Sequence, residues 1–454
     1  MKNVEKWSLR YAIVKPFFYL VYRLTYRYIF IEGLENIPVN KPVIIAPNHQ
    51  NALMDALAIV MSLPSQPVFL SRADIFKNKI VASILYFFKL IPVFRIRDGK
   101  ESLSKNQTTF DSSIRLLKKN KMLCLFPEAA HIGRKSMLPH KKAIPRISFL
   151  VGEKTNFEID LYVVPVGINY SHYYDFRSDL FVRYGKPVGM KEYFDIYRHE
   201  GEIKATAALR ERIFDELTRL CVHVPEKEDY DIYEQLFEIY WEKTCTFLGI
   251  KSQPENLVRA EQYIIKMLEP YLKESDERNK EILLVAKSYS RGKKELKLTE
   301  RTLQKGKINF RNGLLNILIL ITLLPFATIG ALLHCWLFWV SVYSFRGKIK
   351  DPQFYSSFSY VVMLIVFPLW VIILTAIFTF IIHNWLLSFF IVILSILCGI
   401  IGWEMWQLLL RLKNRFRFNR LERNGNANFK SLLDDRNYLV SMFEKILNQS
   451  GGIS

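Results

Sequence analysis

Short apolar runs alternate with helical spacing of apolar residues over roughly the first 190 positions of the chain. Runs of four to six residues predict strands at residues 43–46, 67–70, 93–97, 122–126, 161–166 and 181–184. The segments between them place apolar residues at helical intervals, at residues 52–63, 79–90, 101–119 and 142–153. The alternation predicts an α/β domain in which a mixed sheet is flanked by helices.

The pattern changes after this domain. Residues 190–312 are strongly charged, with apolar residues at helical spacing, which predicts helical hairpins packed beside the first domain. Three long apolar runs follow, at residues 314–345, 358–382 and 385–410, and they predict C-terminal transmembrane helices.

The first apolar run has 32 residues and is interrupted at Pro325 and Gly330. One kinked span and a hairpin of two short helices are the two alternatives. Basic residues precede the first run at 291–311 and cluster again at 346–350 and 411–420, and all three groups can lie in the cytoplasm only if the first run enters and leaves on the same side. This argument favours the hairpin.

The N-terminal residues 7–31 mix aromatic and basic side chains and contain no uncharged run long enough to span a bilayer. Such a segment suits a helix at the membrane interface, the alternative being a helix packed on its own domain. The predicted parts are an interfacial helix (1–30), a first domain (31–225), a helical extension (226–312), a transmembrane region (313–410) and a basic cytoplasmic tail (411–454).

The charge and the cysteine content of the sequence indicate which kinds of partner and which compartment to expect. The chain has 63 Lys and Arg against 43 Asp and Glu, a net charge of +20, which points to anionic lipids or phosphorylated substrates. We expect no nucleic-acid partner, because no basic tract has the signature of an RNA- or DNA-binding module. The five cysteines form no close pair and the histidines no metal-ligand spacing, so we expect a reducing compartment and no metal.

The first candidate catalytic residues follow directly after the predicted strand at 43–46. Asn51 is a predicted N-cap, so His49 lies on a strand-to-helix turn with Asp55 one turn into the helix. A carboxylate there can bind one imidazole nitrogen and leave the other as a base for a hydroxyl group. The alternative is a capped helix whose early acid favours the positive end of the helix dipole.

A second strand end carries two arginines. If residues 93–97 form a strand, Arg95 and Arg97 project from the same face, where two guanidinium groups can bind a phosphate. An exposed strand face with solvated charges is the alternative.

Two further features lie at or near strand ends. Glu128 follows an apolar strand and precedes a basic run from Arg134, so it either positions a polyol hydroxyl or orients those cations, or is an ordinary turn residue. Pro165 interrupts an apolar run, which predicts either a local break that shapes a pocket or acyl tunnel, or an edge strand.

Together these four stretches resemble the motifs of the glycerolipid acyltransferase superfamily, whose members acylate glycerol-3-phosphate and lysophospholipids. The resemblance covers roughly residues 30–215, in the family's order and near its spacing. The segment from Asn48 to Asp55 is similar to the His–Asp catalytic motif, and 93–97 to the motif whose Arg meets the substrate phosphate. Residues 126–128 and 164–166 are similar to the third and fourth motifs.

The resemblance implies direct acyl transfer, in which His49 takes the proton of a glycerol hydroxyl that attacks an acyl thioester and Asp55 holds the imidazolium. Backbone N–H groups near the helix start are expected to stabilise the oxyanion. No cofactor is expected beyond acyl-CoA or acyl carrier protein as the thioester co-substrate. The implied substrate-binding residues are Asn48, Arg95, Arg97, Glu128, His131, Lys141, Lys142 and Pro165.

The sequence departs from the family pattern at two places. Five residues separate His49 from Asp55 where four are usual, a spacing similar to that of the fungal glycerol-3-phosphate and dihydroxyacetone-phosphate acyltransferases. That branch also has an extra region and membrane segments after its catalytic domain. In the third motif, Ala129-Ala130-His131 replaces Gly-Thr-Arg, so we expect no positive φ at residue 129 and a phosphate contact from His131, Arg134 or Lys141 instead of the Arg.

The resemblance therefore predicts a membrane-bound acyltransferase for glycerol-3-phosphate or dihydroxyacetone phosphate in phospholipid biosynthesis. A 1-acylglycerol-3-phosphate acyltransferase and a non-catalytic lipid-binding scaffold are the alternatives. The expected partners are membrane lipids, an acyl thioester donor and a phosphorylated glycerol acceptor, and the oligomeric state stays open. We expect an integral membrane protein with its catalytic domain on the cytoplasmic face, in a bacterial inner membrane rather than the endoplasmic reticulum.

Overall fold

The structure is a computed structural model that describes residues 4–94, 106–225, 230–273, 277–342, 344 and 346–450. The chain divides into two compact units. The first comprises residues 1–223 together with 348–360, and the second comprises residues 224–347 together with 361–454.

The first unit is built on one eight-stranded sheet with flanking helices. Its strands are β1 (Tyr26–Glu32), β2 (Val43–Pro47), β3 (Val68–Arg72), β4 (Leu90–Val93), β5 (Met122–Cys124), β6 (Tyr162–Tyr170), β7 (Ser178–Tyr184) and β8 (Val188–Gly189). Its helices are α1 (Leu9–Thr25), α2 (Ala52–Ser62), α3 (Lys79–Phe87), α4 (Asn106–Lys118), α5 (Ala143–Glu153), α6 (Lys191–Glu200) and α7 (Glu202–Leu220).

The strand order is β1-β7-β6-β2-β5-β3-β4, with β8 also paired to β6. All pairs are parallel except those that β6 makes with β7 and β8, which are antiparallel. The predicted mixed sheet with flanking helices is therefore confirmed. The central strand β2 is buried at all five positions, as expected of a parallel strand covered on both faces.

The N-terminal segment differs from its prediction at one end. The helix ends at Thr25, and Tyr26–Glu32 form β1, which pairs with β7. In α1, Tyr11 and Tyr22 are at most 2% exposed, whereas Ile13 is 67% exposed. One face of the helix thus packs on its own domain and the other presents apolar side chains at the surface.

Pro165 lies inside the central strand β6, so the expectations of a broken strand and of an edge strand are both wrong. It pairs with Ala46 of β2, and its carbonyl accepts the N–H of Gly185. β6 pairs with β8 up to Val163 and with β7 from Val166. Pro165, which has no N–H to donate, lies between these two pairings. The break needed to accommodate proline is therefore in the neighbouring strands.

The second unit is helical. Its elements are α8 (Tyr230–Phe247), α9 (Leu257–Lys273), α10 (Glu277–Glu295), α11 (Glu300–Lys305), α12 (Phe310–Val342), most of α13 (Tyr355–Ile382), α14 (Trp385–Arg423) and α15 (Ala427–Ser450). Residues of the predicted polar tail form α15, which packs against α8 and α10; the rings of Tyr240 and Phe443 stack with centroids 3.9 Å apart. The predicted helical region after the first domain is confirmed.

Within the described part of the chain, three helices are long and apolar enough to cross a membrane, within residues Phe310–Leu337, Pro352–Ile382 and Trp385–Arg423. α12 continues through both Pro325 and Gly330, so the predicted hairpin is wrong. Proline is tolerated inside such helices, and Gly330 marks a close helix contact rather than a break. A Cβ atom on Gly330 would overlap the carbonyl oxygen of Cys398 in α14.

We expect Gly330→Ala to destabilise the α12–α14 pair by about 1–3 kcal/mol, the usual cost of overpacking a tight contact. The measurement is the thermal unfolding midpoint of the detergent-solubilised full chain. Gly313→Ala in the same helix is the matched control, because the nearest atom to an added Cβ there is 4.0 Å away. Equal midpoints for the two variants would contradict the close contact.

Candidate active site

The turn between β2 and α2 brings His49 and Asp55 together. His49 Nδ1 lies 2.8 Å from Asp55 Oδ2, and the carboxylate is fully buried while the imidazole side chain is 15% exposed. Because Nδ1 donates its proton to the carboxylate, Nε2 carries the lone pair. Among the described residues no polar group binds Nε2, so it is available to accept a proton from a ligand.

Asp55 accepts four hydrogen bonds. Its Oδ2 receives those of His49 Nδ1, Gln50 N–H and Asn51 N–H, and its Oδ1 receives that of the Tyr170 hydroxyl, all at 2.7–2.8 Å. Ala52, which lies between the two catalytic candidates, has a φ of 40°. This left-handed turn accommodates the fifth intervening residue and keeps the carboxylate facing the imidazole.

The amide groups at the start of α2 are already occupied. Gln50 and Asn51 donate to Asp55, Leu53 donates to Ser357 Oγ at 3.1 Å, and Met54 donates to the Asn51 carbonyl at 2.9 Å. These four groups therefore do not support the expected oxyanion site at the helix start.

Glu128 supports the backbone of the catalytic turn. Its Oε1 accepts the N–H of His49 at 2.8 Å and its Oε2 accepts the N–H of Leu138 at 2.7 Å, and the side chain is fully buried. Both oxygens are thus used within the protein, and neither the polyol role nor the cation-orienting role predicted for Glu128 is seen. Burial raises the pKa of Glu128 to about 8, against the opposing effect of the two N–H groups.

This raised pKa gives a pH-dependent stability. The ordinary pKa of a glutamate is 4.5. Between pH 4.5 and about 8, the Glu128 carboxyl is therefore ionised in the unfolded chain and protonated in the folded protein. The folded state binds more protons, so stability falls as pH rises through this window, by at most about 1.4 kcal/mol per pH unit.

We therefore expect the thermal midpoint of the wild type to fall more steeply from pH 5 to pH 8 than that of Glu128→Gln. The exposed Glu158→Gln is the matched control, and it should retain the wild-type slope. Parallel curves for wild type and Glu128→Gln would show that Glu128 ionises normally.

The third motif contains a residue in the left-handed backbone conformation, contrary to the prediction. Ala129 has a φ of 56°, so the expectation that this residue avoids positive φ is wrong. Its N–H closes a turn onto the Phe126 carbonyl at 3.2 Å. The turn demands the left-handed conformation, and alanine adopts it at a cost of about 1–2 kcal/mol.

His131 lies beside His49. The two imidazole rings meet edge to face with centroids 4.9 Å apart, and Phe126 stacks on His49 at 4.0 Å. His131 Nδ1 is 2.5 Å from Oε1 of Gln353. Burial, followed by the neighbouring His49, lowers the pKa of His131 below its ordinary 6.5, so this imidazole is neutral at pH 7.

The other predicted residues are more scattered. Asn48 ties the turn to β6, since its side chain exchanges two hydrogen bonds with the backbone of Ile168 at 2.6 and 3.0 Å. Lys141 and Lys142 are exposed just before α5, and Pro165 is buried in β6. Arg95 and Arg97 lie outside the described residues.

Sequence reasoning missed several residues that complete the site. Tyr170 binds Asp55, and Gln50 binds the Ser136 carbonyl through its side chain at 2.6 Å. Gln353 comes from the 3₁₀ turn just before the second apolar helix, and Ser357 from the first turn of that helix. No sequence pattern marks these contacts, because each depends on partners distant along the chain.

Comparisons with known proteins agree with these motifs. Residues 28–169 match the family model described as Acyltransferase. The chain is 28% identical over 127 residues to an uncharacterised acyltransferase of Schizosaccharomyces pombe, a match that covers 28% of this chain and 19% of that protein. It is 22% identical over 197 residues to glycerol-3-phosphate O-acyltransferase 1 of Saccharomyces cerevisiae, covering 43% of this chain and 25% of that protein.

The matched region thus spans no more than a quarter of either curated relative. Among solved structures, the 1-acyl-sn-glycerophosphate acyltransferase PlsC of Thermotoga maritima aligns at 18% identity with a TM-score of 0.33, over 46% of this chain and 76% of that one. Residues 28–169 thus match an acyltransferase domain, and the order of their motifs is similar to that of the glycerolipid acyltransferase superfamily.

Proposed function

We propose that this chain is a membrane-bound O-acyltransferase that moves a fatty acyl group from an acyl thioester to a hydroxyl of glycerol-3-phosphate or dihydroxyacetone phosphate. One observation carries the proposal: His49 is held through Nδ1 by a buried carboxylate and keeps Nε2 open. The three apolar helices support the membrane location. We place the first unit on the cytoplasmic face, where acyl-CoA and acyl carrier protein are found.

In this mechanism Nε2 of His49 takes the proton of the acceptor hydroxyl as its oxygen attacks the thioester carbonyl carbon. The C–O bond forms, the C–S bond breaks, and the imidazolium returns its proton to the departing thiolate. Asp55 stabilises the imidazolium through its hydrogen bond to Nδ1, and its three other donors hold the carboxylate in place. General-base catalysis of this kind contributes about 10²–10⁴-fold.

The choice of acceptor rests on resemblance. The five residues between His49 and Asp55, and the helical and apolar regions after the domain, resemble the branch that acts on glycerol-3-phosphate and dihydroxyacetone phosphate. One of the curated relatives is itself named a glycerol-3-phosphate O-acyltransferase. Acylation of 1-acylglycerol-3-phosphate uses the same chemistry on a lipid acceptor and is the second candidate.

The test is acyl transfer by the full chain in liposomes, with labelled palmitoyl-CoA and, separately, a palmitoylated acyl carrier protein as donors. Glycerol-3-phosphate, dihydroxyacetone phosphate and 1-acylglycerol-3-phosphate are offered in parallel. We expect a labelled lysophospholipid from one of the first two acceptors. Acylation of 1-acylglycerol-3-phosphate alone would assign the second candidate, and no product with either donor would leave a non-catalytic lipid-binding role.

A further inference from the structure

A segment from between two apolar helices belongs to the catalytic unit. Residues 351–360, here called the inter-helix segment, follow α12 and include the first turn of α13. The segment binds the unit at well-separated points: Ser357 Oγ accepts from Leu53 N–H at 3.1 Å, Ser356 Oγ donates to the Tyr173 carbonyl at 2.6 Å, and the Tyr360 hydroxyl donates to the Phe18 carbonyl at 2.9 Å.

The innermost contact of the inter-helix segment is with His131. Gln353 lies in a single 3₁₀ turn that begins after Asp351, whose carboxylate accepts the Gln353 N–H at 3.1 Å. The side-chain oxygen of Gln353 is 2.5 Å from His131 Nδ1, and the ring of Phe354 meets the imidazole edge to face at 5.2 Å. The imidazole is therefore fixed both by a hydrogen bond and by an aromatic contact.

This hydrogen bond sets the tautomer of His131. A glutamine oxygen can only accept, so Nδ1 of His131 carries the proton and Nε2 has the lone pair. Among the described residues no polar group binds this Nε2. The two imidazoles, with centroids 4.9 Å apart, thus each have an Nε2 without a protein partner among the described residues.

We propose that Gln353 is a positioning residue that makes His131 an acceptor for a second substrate hydroxyl, adjacent to the one His49 deprotonates, so that the site selects a vicinal diol phosphate. The inference rests on the proposed function and deepens it. Glycerol-3-phosphate has two neighbouring hydroxyls. Dihydroxyacetone phosphate instead turns a ketone oxygen toward Nε2, and two acceptors cannot form a hydrogen bond.

Gln353→Glu should weaken this preference for glycerol-3-phosphate while keeping the size and shape of the side chain. The groups that face His131 are His49, Asp55 and Asp351, and the new carboxylate would bind the Nδ1 proton directly. An opposite charge at this distance raises the pKa of an imidazole, so Nε2 would also become protonated and act as a donor. A donor suits the ketone of dihydroxyacetone phosphate.

The kinetic test compares kcat/KM for glycerol-3-phosphate and dihydroxyacetone phosphate, with palmitoyl-CoA, for the full chain in liposomes. We expect the wild type to prefer glycerol-3-phosphate and Gln353→Glu to lower that ratio about tenfold, the effect of one hydrogen bond, with the KM for palmitoyl-CoA unchanged. Lys350→Ala is the control, an exposed residue just before the inter-helix segment, and it should keep the wild-type ratio. In a His131→Ala background, Gln353→Glu should have no further effect on the ratio.

A second measurement does not depend on turnover. Diethyl pyrocarbonate modifies neutral imidazoles, and peptide mapping by mass spectrometry isolates the reaction of His131 as a function of pH. We expect the midpoint for His131 to move to higher pH in Gln353→Glu.

An unchanged midpoint, an unchanged ratio of kcat/KM, or acylation of 1-acylglycerol-3-phosphate alone would each overturn the assignment to Gln353 and the diol. A wild type that transfers no acyl group refutes the proposed function instead. In that case the modification profile alone decides whether Gln353 controls His131.

Discussion

Replacing His49 with alanine is expected to lower kcat for acyl transfer by about 10³-fold or more, because a general base contributes about 10²–10⁴-fold. The substitution removes the nitrogen that accepts the hydroxyl proton, on the imidazole that Asp55 holds in place. The measurement is the rate of product formation by purified protein in liposomes, with each of the three acceptors.

The fold should survive this change. The His49 side chain is partly exposed, and its backbone N–H, which binds Glu128, is retained in the variant. The thermal midpoint should therefore stay close to that of the wild type. His199→Ala replaces an exposed histidine of α6 and should leave both activity and midpoint unchanged. Substantial turnover by folded His49→Ala protein would assign the chemistry to another residue.

Features encoded over short distances in the sequence were predictable. The His49–Asp55 pair depends on a strand, a turn and the first helical turn, all within a dozen residues. Five of the six predicted strands overlap β2, β3, β5, β6 and β7, and the apolar helices likewise follow from local runs of hydrophobic residues. Local periodicity was enough because each of these features is decided by neighbours along the chain. The strand predicted at 93–97 reaches only the last residue of β4, and β1 and β8 were not predicted.

Features that depend on distant partners were not predictable. Tyr170 reaches Asp55 from 115 positions away, and Gln353 reaches His131 from 222 positions away. Pro165 was predicted to break a strand or to lie at a sheet edge. Whether a central strand accepts a proline there depends on where the pairing of β6 with β8 ends and its pairing with β7 begins. Gly330 seemed to break a helix, whereas it makes room for the backbone of α14.

Asp55→Asn is expected to lower kcat by about 10³-fold with little change in KM, because it preserves shape and removes the charge that stabilises the imidazolium. An asparagine has one accepting oxygen, while Asp55 accepts four hydrogen bonds with two. The amide nitrogen must therefore face either the Tyr170 hydroxyl or the His49 and backbone donors. We also expect a lower thermal midpoint, since each donor left without a partner in a buried site costs about 1–3 kcal/mol.

Tyr170→Phe separates these two effects. It deletes one of the four donors to Asp55 and leaves the carboxylate charged and bound to His49. Loss of one hydrogen bond to a charged carboxylate, about 1.5–3 kcal/mol, corresponds to a decrease in kcat of at most about 10²-fold. A loss in Tyr170→Phe as large as that in Asp55→Asn would mean that the orientation of the carboxylate, rather than its charge, limits catalysis. Near-normal kcat in Asp55→Asn would mean that His49 works without an acidic partner, and the pair would then be a capping interaction of the α2 turn.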